Sequence, residues 1–330
     1  MVSKRVLLTG ADGFLGSHIL RELVKKGYQV RAFLQANRDH ATIHGLPYEP
    51  FYGDLLDETH IDKALEGCDF LVHTVAITDI WPYRSALQRK INFDVVKTIA
   101  AAAKRHHIQR MVHIGTANSF GYGSKTDPGD EATPYCFAKF GLDYMDSKKA
   151  AQDFLLNQVK ENGLPVIIIN PTFMVGEYDS KPGTGAMIVA LMQEKVASYA
   201  SGGRCYVYVA DVAAAAVSAL EKGRVGECYI AGNANLDYKE FFTMVSQTAR
   251  VKMPKVKLPY PILLFSAGLA MLVSKFTKQP PLVSTAMIRI ANEDQYYSSA
   301  KAIQELDMPQ TPIETAVERS VQWFRENDYV

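Results

Sequence analysis

Short apolar runs alternate along the first half of the chain with longer stretches whose apolar residues recur at helical spacing. Runs at Arg5–Thr9, Tyr28–Leu34, Phe70–His73, Arg110–Ile114 and Pro165–Ile169 read as strands. Residues 16–26 place Ile19, Leu20, Leu23 and Val24 on one helical face. The stretch 91–106, alanine-rich in its middle, reads as a crossover helix. A run as continuous as Val166-Ile167-Ile168-Ile169 suits a strand covered on both faces, and strands alternating with helices build a parallel sheet. The pattern predicts an α/β fold with a doubly wound parallel sheet.

After Pro171 the rhythm breaks into segments bearing glycine and proline. It returns at Cys205–Val209, Asp211–Leu220 and Glu227–Ile230, then gives way to a helix-rich tail. The expected division assigns 1–172 and 205–232 to the sheet domain. Residues 173–204 and 233–330 are expected to form a smaller, interleaved C-terminal domain.

Composition narrows the functional classes. With 330 residues, 48% of them hydrophobic, the chain can bury a sizeable core. A formal net charge of +1 without a long run of like charge supplies no basic stripe for nucleic acid. Cys68, Cys136, Cys205 and Cys228 lack the paired spacing of a zinc site or a disulfide framework, so reduced thiols and no metal are expected. The first strand begins at Arg5, which leaves no room for the charged and apolar regions of a signal peptide. The cytoplasm, or its membrane surface, is the expected location.

Thr9-Gly10-Ala11-Asp12-Gly13-Phe14-Leu15-Gly16 joins the first strand to the first helix. Residues without a Cβ let the backbone turn sharply and approach a pyrophosphate, whose charge meets the positive helix N-terminus. Gly10, Gly13 and Gly16 supply that, and a second strand follows, as in a Rossmann dinucleotide site.

Downstream, Tyr144 and Lys148 are four apart and therefore share a helical face. A cation beside a phenol favours the phenolate, which makes the tyrosine a usable general acid or base. Tyr135 and Lys139 repeat the spacing. Tyr144 is preferred because a long amphipathic run with Ala151, Phe154, Leu155 and Val159 follows it, whereas Tyr135 lies between Pro134 and Gly141.

Several landmarks in order make the resemblance specific: Thr9–Gly16, Gly53-Asp54-Leu55, His73-Thr74-Val75-Ala76, Val112–Gly121, Tyr144–Lys148 and Asn170–Gly176. On these the chain resembles the extended short-chain dehydrogenases/reductases of the NAD-dependent epimerase/dehydratase superfamily. Within them it is nearest to dihydroflavonol reductase-like and 3β-hydroxysteroid dehydrogenase-like proteins. The resemblance implies that Thr116, ending the fifth strand, hydrogen-bonds the substrate oxygen and the tyrosine. It implies that Lys148 also bonds the nicotinamide ribose. Phe14 and Leu15 belong to the glycine motif, Asp54 and Leu55 match positions that contact adenine, and Val75 and Ala76 pass close to the cofactor. Pro171 and Met174 match the segment covering the nicotinamide.

An acidic residue ending the second strand usually holds the ribose 2′-hydroxyl of NAD, and arginines accommodate the 2′-phosphate of NADP. Here Val30–Gln35 offers no carboxylate, and Arg31 and Arg38 are the nearby cations. NADP(H) is therefore favoured over NAD(H), although Gln35 stands where many reductases carry an arginine.

The expected activity is interconversion of a ketone and a secondary alcohol on a lipophilic small molecule, with Thr116, Tyr144 and Lys148 as catalytic residues. Two alternatives are a nucleotide-sugar epimerase and a non-catalytic dinucleotide sensor or scaffold. A sugar 4,6-dehydratase fits less well, because Ala117-Asn118 replaces the Asp-Glu that resemblance would require after the threonine. Trp81, Tyr83 and Phe173 are candidates to line the substrate pocket. The apolar run 260–273 is too short to span a bilayer, which takes ~20 apolar residues. It reads as a buried helix, with a lid or a peripheral membrane contact as the other readings. The helical stretches 91–106 and 144–160 are those through which relatives dimerise, so a homodimer is the expected assembly.

Overall fold

The computed structural model describes residues 4–277, 281 and 283–330. Its strands are β1 Arg5–Thr9, β2 Gln29–Leu34, β3 Glu49–Tyr52, β4 Phe70–His73, β5 Arg110–Ile114, β6 Val166–Pro171, β7 Phe173–Val175, β8 Ser198–Tyr199, β9 Gly203–Tyr208, β10 Cys228–Ala231, β11 Ala234–Asp237, β12 Val256–Lys257 and β13 Asp294–Gln295. Its helices are α1 Phe14–Lys25, α2 Glu58–Leu65, α3 Ala86–Arg89, α4 Val95–Arg105, α5 Asp143–Asn162, α6 Ala186–Met192, α7 Val209–Ala219, α8 Tyr238–Ala249, α9 Tyr260–Thr277, α10 Thr285–Ala291, α11 Ala300–Leu306 and α12 Ile313–Glu326.

Seven parallel strands form the main sheet in the order β10-β6-β5-β4-β1-β2-β3. Successive side chains on a strand point to opposite faces, so a continuous apolar run feeds two cores. Val6 and Leu8 of β1 and Ile167 and Ile169 of β6 pack in the core shared with α1 and α7. Leu7, Val166 and Ile168 pack in the opposite core, with α2, α4 and α5. The doubly wound α/β sheet expected from the sequence is thus present, with β1 and β4 side by side where the strand order reverses.

Three expectations are corrected. The stretch 91–106 is not one regular helix: α3 runs into a π-turn at residues 90–94 before α4 begins. The π-turn holds Asn92, buried, with its side-chain oxygen accepting from the Ile77 N–H at 2.8 Å and its amide donating to the Ile77 carbonyl at 2.8 Å. Such a bulge is where helices re-aim a side chain.

The segment 205–208 does not belong with the main sheet. β9 centres a second, four-stranded sheet with β11, β13 and β7. Its run is apolar because both of its faces are covered there; Tyr206 stacks on Phe241 of α8 with ring centroids 4.0 Å apart. Only α7 and β10 return from that segment to the main sheet, α7 against α1 and β10 beside β6.

The run 260–273 is not a buried helix. Ala267 is buried, but Ile262, Phe265, Leu269, Leu272 and Val273 of α9 are exposed. The four cysteines are free thiols, three of them buried.

Candidate active site

The glycine turn sits at the carboxyl end of β1, where α/β sheets with this order bind ligands. Gly10 has φ +72°, and a Cβ there would meet the Thr74 hydroxyl at 2.5 Å. A Cβ on Gly16 would stand 1.9 Å from the Gly10 carbonyl oxygen, so α1 packs directly on the turn. Gly13 differs: its nearest neighbour would be the Gly10 oxygen at 3.3 Å, with nothing else within 4 Å. Gly10 and Gly16 therefore shape the turn, and Gly13 keeps its mouth open. No side chain caps α1 and no acidic residue lies in its first turn. The N–H groups at its start, where Phe14 and Leu15 stand, have no side-chain cap and are the kind of donor an anion accepts from, while the Leu15 side chain is part of the core.

Thr74, after β4, donates its hydroxyl to the Thr9 carbonyl at 2.7 Å, and a Val75 methyl lies against Gly10. Val75 and Ala76 thus run beside the turn. At the outer end, Asp54 and Leu55 follow β3. One Asp54 oxygen accepts from the Leu56 N–H at 2.9 Å, which is turn geometry, and Leu55 is buried.

The two arginines part company. Arg31 is buried, and its guanidinium donates to Glu49 at 2.9 Å and to the Ala64 and Glu66 carbonyls at 2.7 and 2.8 Å. Those partners begin β3 and end α2, on the side of the sheet away from the glycine turn, so Arg31 cannot serve a ribose phosphate. Arg38 is exposed after β2 and has no side-chain hydrogen bond among the described residues.

The second cluster joins β5 to α5. Thr116 follows β5 and is buried; its hydroxyl caps a short 3-10 turn by accepting from Asn118 N–H at 3.3 Å and acts to lower the nearby Tyr144 phenol. Tyr144 lies in the first turn of α5, and Lys148, one turn later, is buried with its ammonium donating to the Ile114 carbonyl at 2.5 Å. Tyr144 is half-buried, and desolvation pushes its phenol above the usual value, opposed by the Thr116 hydroxyl. Burial also lowers Lys148 to about 8. The expectation that Lys148 lowers the tyrosine is thus not met here: desolvation dominates both groups.

The competing pair is spent elsewhere. Tyr135 donates to Asp146 at 2.9 Å, and Lys139 bonds Tyr122 and Glu293, each at 2.8 Å.

Beneath Lys148 lies a polar layer that the sequence analysis did not assign. Asn170, next to last in β6, donates to the Thr116 carbonyl at 3.0 Å and to Gln152 at 2.8 Å. Gly115 has to be small, because a Cβ would stand 2.4 Å from the Asn170 amide nitrogen. Asn92 also donates to Ser147 at 3.3 Å. The available signal was spacing: Tyr144, Lys148 and Gln152 recur every four residues, a polar line on an otherwise buried face. His73 and His113 stack across β4 and β5 at 5.5 Å. Burial, with the Lys148 charge second, holds both imidazoles neutral, His73 down to about 3.

Among the substrate-side candidates, Tyr83 stands edge-on to Trp81 at 5.1 Å and shares an apolar cluster with Tyr144. Phe173 instead packs on Tyr206 in the second sheet. Pro171 ends β6, buried, and Met174 lies half-buried on β7. Grooves between α4 and α5, lined by Ala100 and Phe154, and around Glu131 and Lys301 lie away from the Thr116–Tyr144 pair.

Comparison with known proteins matches residues 6–232 to the NAD dependent epimerase/dehydratase family. The chain is 29% identical to a putative dihydroflavonol 4-reductase of Synechocystis, covering 98% of this chain and 95% of that protein. It is 29% identical to sterol demethylase protein B of Methylococcus capsulatus over 98% and 99% of the two chains. Among solved structures, that of gox2253 superposes with a TM-score of 0.87 at 31% identity, covering 99% of each chain.

Proposed function

The chain belongs to the NAD dependent epimerase/dehydratase family, and from that premise we propose that it interconverts a ketone and a secondary alcohol on a lipophilic small molecule. The observation that carries this reading is the convergence of the Thr116 hydroxyl, the Tyr144 phenol and the buried Lys148 ammonium beside the crevice end of the sheet.

A bound nicotinamide dinucleotide supplies or accepts the hydride. Gly10, Gly13 and Gly16 with the start of α1 hold its pyrophosphate, Val75 and Ala76 line its path, and Asp54 and Leu55 receive the adenine. Pro171 and Met174 cover its nicotinamide end. Thr116 orients the substrate oxygen by hydrogen bonding. In the reducing direction the carbonyl carbon gains a hydride, and its oxygen gains the Tyr144 proton. A half-buried phenol that desolvation keeps protonated is suited to be that acid. Lys148 presents a fixed cation one turn along α5 and has donors left for the ribose hydroxyls.

NADP(H) remains the favoured form on the strength of Arg38 alone, with no carboxylate ending β2 to hold a ribose 2′-hydroxyl. The aromatic cluster of Tyr83, Tyr122, Phe137 and Phe140 around Tyr144, and the sterol and flavonol names of the relatives, favour an apolar substrate over a charged sugar nucleotide. Self-association through the α4–α5 face accompanies this reading.

The test follows absorbance of the reduced nicotinamide with NADPH and NADH in parallel, against lipophilic ketones and nucleotide sugars. Oxidation with a ketone supports the reductase and names its cofactor. Conversion of a nucleotide sugar without net oxidation would replace it with an epimerase. Dinucleotide binding with no turnover across the panel would favour a sensor.

A further inference from the structure

The outward face of α9 has a regular apolar stripe. Ile262, Phe265, Leu269, Leu272 and Phe276 follow one another at steps of three and four residues, and are 52%, 70%, 50%, 51% and 82% exposed. That spacing keeps them on one side of the helix for about four turns, roughly 21 Å. Val273 lies beside the stripe, and Met287 of α10, a helix packed against α9, is also exposed. The inner side is anchored: Ala267 is buried, and the Met271 sulfur accepts from the Tyr83 hydroxyl at 3.5 Å and from the Thr285 hydroxyl at 3.4 Å. A monomer in water rarely leaves so many large apolar side chains together in solvent.

The charge flanking the stripe along the chain has one sign. Residues 250–292 hold seven of the chain's 36 lysines and arginines and none of its 35 aspartates and glutamates. Lys252, Lys255 and Lys257 before α9 and Arg289 after it are exposed. A two-fold contact between copies would set these cations against their own equivalents, because an isologous interface pairs a patch with itself. An anionic lipid surface complements them, and an exposed apolar helix flanked by lysines is the form that lies in a membrane interface. No helix among the described residues is long and apolar enough to cross a membrane.

We propose that α9 docks the protein on anionic bilayers, seating the stripe from Ile262 to Phe276 among the acyl chains and the flanking cations on the headgroups. The cap so placed is continuous with the candidate site. The Tyr83 hydroxyl bonds the Thr285 hydroxyl at 3.1 Å and accepts from the Ala286 N–H at 3.1 Å, and Ala286, Tyr83 and Tyr144 share one apolar cluster. Docking stands independently of the reaction; only delivery of a substrate from the bilayer rests on the proposed function.

The experiment is co-sedimentation of the full chain with phosphatidylcholine vesicles, with and without phosphatidylglycerol, at low and high salt. The parent and a Phe265→Ser, Phe276→Ser double variant are compared. The parent should bind the anionic vesicles, and binding should fall about tenfold or more in high salt, on neutral vesicles and in the variant. The variant should keep its thermal midpoint and dinucleotide affinity, which separates lost docking from lost folding. Parent protein left in the supernatant with anionic vesicles, or a variant binding as well as the parent, overturns the proposal. So does a concentration-dependent dimer in sedimentation velocity that the variant abolishes without any vesicle binding, which would assign the face to a second copy.

Discussion

Alanine at Gly16 and at Gly13 should separate packing from binding within one turn. A Cβ on Gly16 would stand 1.9 Å from the Gly10 oxygen and 2.8 Å from its carbonyl carbon, both main-chain atoms with no side chain to swing aside. Ordinary carbon–oxygen approach is ~3.3 Å, so α1 and the turn must part by more than about 1 Å. Overpacking of that kind costs ~1–3 kcal/mol, offset by up to ~1 kcal/mol of helical preference for alanine. The Gly16→Ala protein should unfold at lower urea and bind dinucleotide more weakly as well. At Gly13 the backbone is extended, φ −79° and ψ 169°, a conformation alanine adopts freely, and the nearest contact would be 3.3 Å. Its stability should fall by less than about 1 kcal/mol, the difference between glycine and alanine as an N-cap. The methyl would nevertheless occupy the open mouth of the turn, weakening dinucleotide binding by about tenfold or more, ~1.4 kcal/mol. Urea unfolding and calorimetric titration with NADPH and NADH read both effects. A stable Gly16→Ala protein, or a Gly13→Ala protein with full affinity, would refute the assignment of roles.

Tyr144→Phe should lower turnover by ~10²–10⁴ with dinucleotide affinity unchanged, while Tyr135→Phe leaves turnover within a few-fold in the same assay. An ultraviolet titration of the unliganded protein should show no phenolate that Tyr144→Phe removes below about pH 10, since burial raises that phenol. Burial lowers folded Lys148 to about 8, against an unfolded value near 10.5, so its buried charge destabilises the fold below about pH 8 and is relieved as pH rises from there. Lys148→Met should therefore lose turnover yet gain roughly 1–2 kcal/mol of unfolding free energy near pH 7, an advantage that shrinks by pH 10. Burial acts to raise the Asp143 carboxyl, but the Arg84 bond at 2.7 Å and the Ser85 N–H hold it below its usual value. Its contribution is present above the unfolded value and lost as pH falls through the folded one. Asp143→Asn should cost ~1–3 kcal/mol near pH 7, with the gap to the parent closing under acid in urea titrations.

Legibility in the sequence followed what each signal encodes. Val166–Ile169 announced a doubly covered strand because both faces of β6 are buried, and Tyr144 was separable from Tyr135 because one opens a long helix and the other sits in a loop. An apolar run does not name its sheet, so β9 was assigned to the wrong one. Arg31 misled because nearness in sequence to the end of β2 says nothing of which way a long side chain reaches; its partners Glu49, Ala64 and Glu66 lie at the opposite end of the strand. Asn92, Gln152 and Asn170 were invisible as a group because they come from three elements that only the fold brings together. In α9 nearly every position is apolar, so periodicity could not say which stripe faces solvent.

Desolvation acts on Tyr144 and Lys148 in opposite senses, raising the phenol and lowering the ammonium. Lys148, lowered to about 8, gives up its proton before a phenol that desolvation raises above its usual value. A lysine that loses its proton first carries no charge to favour a phenolate, which under the proposed function leaves Tyr144 as a proton donor. Two features keep the order. His73 and His113 below the lysine stay neutral, and so add no second cation that would draw the phenol down. The Lys148 ammonium donates to the Ile114 carbonyl, while the Thr116 hydroxyl is the group that acts to lower the phenol, so the pair answers to separate groups on β5 and just after it. Under the proposed function, a phenol kept protonated beside Thr116 suits Tyr144 to the proton-donating half of the exchange.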